Sequence, residues 1–166
     1  MPSELHAYLT EDHQRLDALL ERVIRPDGTI DHESYTAFRA GLLRHIGIEE
    51  RILFPELRRQ GIFSPVEVQL HRDHAALAAL LMPPPDAALM STIAGILAEH
   101  NPLEEFPGGL YERMEELAAD ELGNLVEKIR NTPPVRLAPH MDTEITRSSI
   151  EQLLREAEEG RKALRK

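Results

Sequence analysis

The sequence predicts an all-α protein, an up-down four-helix bundle with additional C-terminal helices. Three observations carry that expectation. Apolar residues recur at spacings of three and four along most of the chain. Capping residues, glycines and prolines bound these segments, and no stretch alternates with the period of two that a strand needs.

The first helix is expected over residues 3–25, where Leu5, Leu9, Leu16, Leu20 and Val23 share a face and Pro26-Asp27-Gly28 supplies a stop. A second spans 31–60 with Tyr35, Phe38, Leu42, Ile52 or Leu53, and Leu57 inward. Pro55 bends it near its end, and Gly61 takes the position after the helix that favours glycine. The third has the clearest start. Ser64 caps, Pro65 suits the first helical position, and Glu67 completes a capping box, after which Leu70, Leu77 and Leu81 mark the buried face. Pro83-Pro84-Pro85 ends it. Asp86 caps the fourth, whose apolar face carries Leu89, Ile93, Ile96 and Leu103, with Pro102 as a kink and Pro107-Gly108-Gly109 as its end. Residues 110–131 read as one or two shorter helices broken near Asp120, and Ser148 with Glu151 suggests a last capping box. The expected division is a helical bundle over residues 1–141 and a C-terminal helical extension over 142–166.

Composition narrows the function. A chain of 166 residues fits one domain and can bury a real core. With no cysteine, disulfide scaffolds, iron–sulfur clusters and thiol nucleophiles drop out, so a metal site must use nitrogen and oxygen ligands. Nineteen basic against 29 acidic residues give a net charge of −10, which argues against nucleic acid or anionic lipid as the partner. No apolar run approaches a membrane span, and Met1-Pro2-Ser3-Glu4 does not open a secretory leader, so a cytoplasmic protein is expected. P-loop, dinucleotide-binding and His-Glu-x-x-His patterns are missing.

The informative residues are histidines. His13 fills the inward position between Leu9 and Leu16; His45 and Glu49 continue the stripe of Phe38 and Leu42; His74 lies between Leu70 and Leu77; His100 and Glu104 follow Ile93 and Ile96. A single histidine on an apolar stripe is more often a hydrogen-bonded core residue than a ligand. Four are another matter. With eight histidines in 166 residues, four central core positions filled by chance is rarer than roughly one in ten thousand. Glu49 and Glu104 on core stripes would be costly unless paired or bound to a metal. His-x-x-x-Glu, present as His45/Glu49 and His100/Glu104, sets a nitrogen and a carboxylate one turn apart. One helix then offers the nitrogen to one ion while its carboxylate bridges to a second. Mixed imidazole and carboxylate donors suit iron, manganese or zinc.

These residues resemble the hemerythrin-like family, the HHE cation-binding domain. The signatures are Asp12-His13-x-x-Leu16, His45-x-x-x-Glu49-Glu50-x-x-Leu53-Phe54-Pro55, Asp73-His74, and His100-Asn101-x-x-Glu104-Glu105 followed by Leu110-Tyr111. The resemblance covers about residues 3–115. It implies two non-haem iron ions, with manganese or zinc as possible occupants: His13 and His45 on one, His74 and His100 with His71 on the other, and Glu49 and Glu104 bridging. One departure stands out. The oxygen-carrying members have His-x-x-x-His on the third helix, whereas here the spacing is His71-x-x-His74, about 60° apart around the helix. Glu67 is a weaker substitute donor.

The implied function is binding of O2 or a related small diatomic ligand. The alternatives are a di-iron enzyme acting on peroxide or nitric oxide, and an iron-responsive regulatory or repair module; oligomeric state is left open. His6 and His32 are read as solvated and His140 as structural. Asp12, Asp73 and Glu99, each preceding a candidate ligand, point about 100° away from it and cannot orient it, though one could serve a histidine on an adjacent helix. Tyr8 and Tyr111 are placed near the site by nothing in the sequence.

Overall fold

The computed structural model describes residues 3–117 and 119–166; Met1 and Pro2, used above in reading the N-terminus, lie outside it. The helices are α1 (Glu4–Val23), α2 (His32–Ile48), a π-helical turn (Glu49–Leu53), α3 (Phe54–Arg59), α4 (Pro65–Leu80), α5 (Ala87–Glu105), α6 (Leu110–Glu115), α7 (Ala119–Arg130) and α8 (Glu144–Leu164). Among the described residues there is no strand, only an isolated bridge between Ile24 and Ile30. The fold is therefore all-α, a four-helix bundle of α1, α2 with α3, α4 and α5, carrying three further helices. None of these helices is long and apolar enough to cross a membrane.

Local chemistry sets most boundaries. The side chains of Ser3, Asp31, Ser64 and Asp86 accept hydrogen bonds from the first backbone N–H groups of α1, α2, α4 and α5. The box at Ser64 is only half made: Ser64 Oγ takes Val66 N and Glu67 N, while the Glu67 carboxylate turns to Arg58 Nε at 3.0 Å. The second expected helix is interrupted in the middle rather than bent at its end. Pro55 has no N–H for the carbonyl four residues back, and the chain widens just before it, Phe54 N–H reaching Glu49 O. Residues 110–131 form two helices, parted before Ala119 instead of at Asp120. The last helix starts earlier than Ser148, at Glu144, capped by the Thr143 side chain on Thr146 N.

Two apolar clusters fill the bundle. One gathers Leu16, Val23, Phe38, Leu42, Leu77, Ile93 and Leu97 among others, and the second Leu5, Leu9, Ile48, Leu53, Phe54, Leu57, Leu70, Tyr111 and Met114. Each of the four bundle helices α1, α2, α4 and α5 passes from one cluster to the other, and where it does so it carries a histidine. The extended segment 132–143 is tied across the bundle by Arg44 Nε on Thr132 O (3.1 Å), Arg39 Nη1 on Ala138 O (3.0 Å) and Met141 N on Met82 O (2.8 Å). That crossing delivers α8 to the outer face of α4.

Candidate metal centre

His13 from α1, His45 from α2, His74 from α4 and His100 from α5 meet in the polar layer between the clusters, at most 4% exposed. Glu49 opens the π-helical turn and Glu104 lies in the last turn of α5; both are fully buried. Their donor atoms form two groups, His13, His45, Glu49 and Glu104, and Glu49, His74, His100 and Glu104, with all atoms of a group within 4.8 Å of one another. Each carboxylate gives one oxygen to each histidine pair. Glu49 Oε1 lies 3.2 Å from His45 Nε2 and Oε2 3.1 Å from His74 Nε2; Glu104 Oε2 lies 3.1 Å from His13 Nε2 and Oε1 2.9 Å from His100 Nε2.

The arrangement is not that of a hydrogen-bonded core. The Nε2 atoms point at one another, 2.9 Å apart for His13 and His45 and 3.2 Å for His74 and His100. Glu49 Oε2 and Glu104 Oε1 are buried and accept no hydrogen bond despite the nearby ring nitrogens. Convergent imidazole nitrogens and carboxylate oxygens that satisfy each other poorly are a donor set shaped for a cation.

Every Nδ1 is engaged by a carboxylate from a neighbouring helix. His45 Nδ1 donates to Asp12 Oδ2 (2.9 Å), His74 Nδ1 to Glu50 Oε1 (2.8 Å), His100 Nδ1 to Asp73 Oδ2 (3.3 Å), and His13 Nδ1 to Glu105. The pattern is a closed ring: α1 serves α2, the π-helical turn serves α4, α4 serves α5, and α5 serves α1. Protonating Nδ1 leaves the Nε2 lone pair facing inward, the tautomer a metal requires. Asp12 and Asp73 are thus bound across helices, while Glu99 lies at the surface with Arg165. Glu50 and Glu105 were not assigned a role from sequence. The available signal is that an Asp directly precedes His13 and His74 and a Glu directly follows Glu49 and Glu104, so the residue beside each faces the next helix. Asp31-His32, Glu115-Glu116 and Glu158-Glu159 nevertheless repeat these pairs away from the centre.

The electrostatics follow from this packing. Burial opposes charge on His13, but hydrogen bonds to Glu104 and Glu105 outweigh it and push its pKa up to about 10. His45 is raised to about 9 against the same burial by the Glu49 charge and the Asp12 bond. His74 and His100 are raised too. Burial and the Glu104 charge push the Glu49 pKa upward, yet the histidines win and hold it below the usual carboxylate range. Glu104 sits well below that range for the same reason.

Tyr111 is the residue sequence could not place. Its hydroxyl donates to Glu49 Oε1 at 2.9 Å and lies 3.3 Å from Glu104 Oε2, 3.1 Å from His13 Nε2 and 3.4 Å from His45 Nε2. Gly109 makes this approach possible, because a Cβ there would come within 2.7–2.8 Å of the carbonyl oxygens of Leu103, Phe106 and Glu104. Burial, then the charges of Glu104 and Glu49, raise the phenol well above its ordinary pKa. A small cavity of ≈ 10 Å³, about the room one water needs, lies against His13, His45 and His100 and is otherwise lined chiefly by Leu16, Leu42, Leu77 and Leu97.

His71, taken above as a ligand, does not reach the centre. Its side chain is 60% exposed and its Nδ1 shares the Glu50 carboxylate with His74, because the three-residue spacing turns it to the outside of α4. Glu67 is held by Arg58 and also stays away. His32 is exposed, and His140 bonds Met82 O and stacks on Tyr35. His6 departs from the solvated expectation, being half-buried edge-on to the Tyr111 ring at 5.5 Å. Tyr8 contacts Arg44, not the centre.

No curated protein and no solved structure matches the chain. The family model of the hemerythrin HHE cation-binding domain matches residues 4–144, most of the chain and all of the elements that build the centre. The chain belongs to the hemerythrin HHE cation-binding domain family.

Proposed function

We propose that this protein holds two iron ions, one at His13 and His45 and the other at His74 and His100, bridged by Glu49 and Glu104, and binds O2 or a related diatomic ligand there. The observation that carries the reading is the division of each buried carboxylate between two histidine pairs. Mixed nitrogen and oxygen donors suit iron, with manganese and zinc as competing occupants. When bound, iron supplies reversible redox chemistry and a Lewis-acidic position for a small ligand.

The chain's own residues do the rest. Asp12, Glu50, Asp73 and Glu105 fix the imidazole tautomers. Leu16, Leu42, Leu77 and Leu97 line a space of about one water's volume beside His13, His45 and His100, which favours a diatomic ligand over a larger substrate. Tyr111 holds a proton at its hydroxyl beside the His13 and His45 pair. That proton also supports a second reading, an enzyme reducing peroxide or nitric oxide, since such chemistry consumes protons.

The test is metal analysis of anaerobically purified protein, followed by its visible spectrum under nitrogen, in air, and under nitrogen again. Two irons per chain and a band that appears in air and disappears on its removal are expected. Turnover of peroxide or nitric oxide with a reductant would move the function to the enzyme. Failure to take up iron, manganese or zinc would overturn both.

A further inference from the structure

The family match ends at residue 144, where α8 begins, yet α8 touches a carboxylate that holds a histidine of the centre. Of the four carboxylates that hold the histidine Nδ1 atoms, Asp12, Glu50 and Glu105 have side chains 10%, 23% and 27% exposed and are reached by water. Asp73 is completely buried. A buried carboxylate needs a charge partner and hydrogen bonds on both oxygens. Asp73 Oδ2 takes His100 Nδ1, and Oδ1 takes Gln69 Nε2 at 2.8 Å together with the guanidinium of Arg161, which comes from α8 and is itself largely buried. Gln69 Nε2 also donates to Ala157 O at 2.9 Å, so the amide joins α4 to α8. This close approach depends on Gly160: a Cβ there would meet Gln69 Oε1 at 2.1 Å and Arg72 Nη1 at 2.7 Å.

We propose that Arg161 is a positioning residue for the His74 and His100 half of the centre: it holds Asp73, Asp73 holds His100, and α8 thereby sets the metal affinity of that half alone. The inference rests on the two-metal reading. Among the described residues no contact from α8 serves the other half, where Asp12 takes Arg15 of its own helix, a half-exposed side chain at 2.7 Å. Losing Arg161 would leave Asp73 with the His100 proton as its principal compensation, and a carboxylate that draws the ring toward itself turns Nε2 away from the ion. Outer hydrogen-bond partners of metal-bound histidines typically change affinity by about 10- to 100-fold.

The experiment is anaerobic Fe(II) titration of full-length, metal-stripped protein against a colorimetric chelator, resolving two stepwise constants. Arg161→Ala is expected to weaken one step about tenfold and leave the other within about twofold, with Arg161→Lys recovering part of the loss. On an Asp73→Asn background, Arg161→Ala should add nothing further, since both act through one contact. Nitrogen-15 spectra of the stripped protein should show the His100 imidazole shifted and that of His45 unchanged. Both steps intact, both falling in parallel with thermal stability, or additive effects of the two substitutions would each overturn the proposal. If Arg161→Ala does not fold, Arg161→Gln is read in the same way. A wild-type chain that takes up no second ion overturns the two-metal reading itself, before any variant is compared.

Discussion

The two halves of the centre share a donor set and differ in what surrounds it. The His13 and His45 half borders a phenol hydroxyl as well as the leucine-lined cavity it shares with His100. The Tyr111 hydroxyl touches both rings and the carboxylates of Glu49 and Glu104, and Asp12 and Glu105 keep contact with water. Around His74 and His100 there is no tyrosine. Phe54 stacks on His74 at 5.6 Å, and Asp73 is sealed beneath α8. Identical ligands in unlike surroundings make two unequal positions, one next to a proton and one fixed by an ion pair. Breaking what the halves share should therefore do most, and breaking what distinguishes them should do less and only on one side.

The largest effect is expected from Glu49→Ala, because Glu49 belongs to both groups. It should reduce bound metal at both positions and destabilise the protein by about 3–5 kcal/mol, the usual cost of removing one partner from a buried charged set. Metal analysis and thermal unfolding check both together, since metal binding in such a core is also folding energy. Next come His45→Ala and His100→Ala, each predicted to leave about one ion per chain on the opposite side. Equal loss of both ions from either variant would show that the halves do not load separately.

The third prediction uses acidity. In metal-stripped protein His13 and His45 titrate at about 10 and about 9, above the ordinary 6.5. The folded state then binds more protons than the unfolded chain between those limits, so stability falls as pH rises there. The contribution is complete below about pH 6.5 and lost through pH 9–10. Melting temperature of the stripped protein should drop from pH 7 to pH 10, and metal uptake at pH 7.5 should release protons, measurable as a dependence of binding heat on buffer. A flat melting profile would contradict these environments. Smaller and one-sided is Tyr111→Phe. The ring keeps its packing, so both ions should stay, with a loss of about 1 kcal/mol from the hydroxyl and a faster loss of diatomic ligand.

Much of this was legible in the sequence, for a specific reason. His13, His45, His74 and His100 stand where an apolar residue is due, and periodicity exposes such substitutions. The bundle, its caps at Ser64 and Asp86, and the two glutamates on the inward stripes come from the same local rules. What escaped depends on contacts between elements. Tyr111 lies on a short helix whose direction is set by Gly109 packing on the end of α5. The π-helical turn before Pro55 leaves no mark in a hydrophobic pattern, though it carries Glu50, which faces His74. The role of α8 hangs on Arg161, which in sequence is one of several cations on a charged helix.

His71 sharpens the comparison at its weakest edge. It sits one turn from His74 and touches Glu50, so a model in which every nearby histidine tunes the metal predicts a loss at the His74 and His100 half for His71→Ala. The geometry predicts otherwise. Glu50 already accepts from His74 Nδ1 at 2.8 Å with a separate bond, and the His71 ring is mostly in water, where such a pair contributes about 0–1 kcal/mol. Metal content and both stepwise affinities should match the wild type within about twofold, and melting temperature should move by no more than about 4 °C. A tenfold loss confined to the second half would mean that Glu50 depends on His71 as Asp73 depends on Arg161, and exposure would no longer separate the residues that hold this centre from those that only adjoin it.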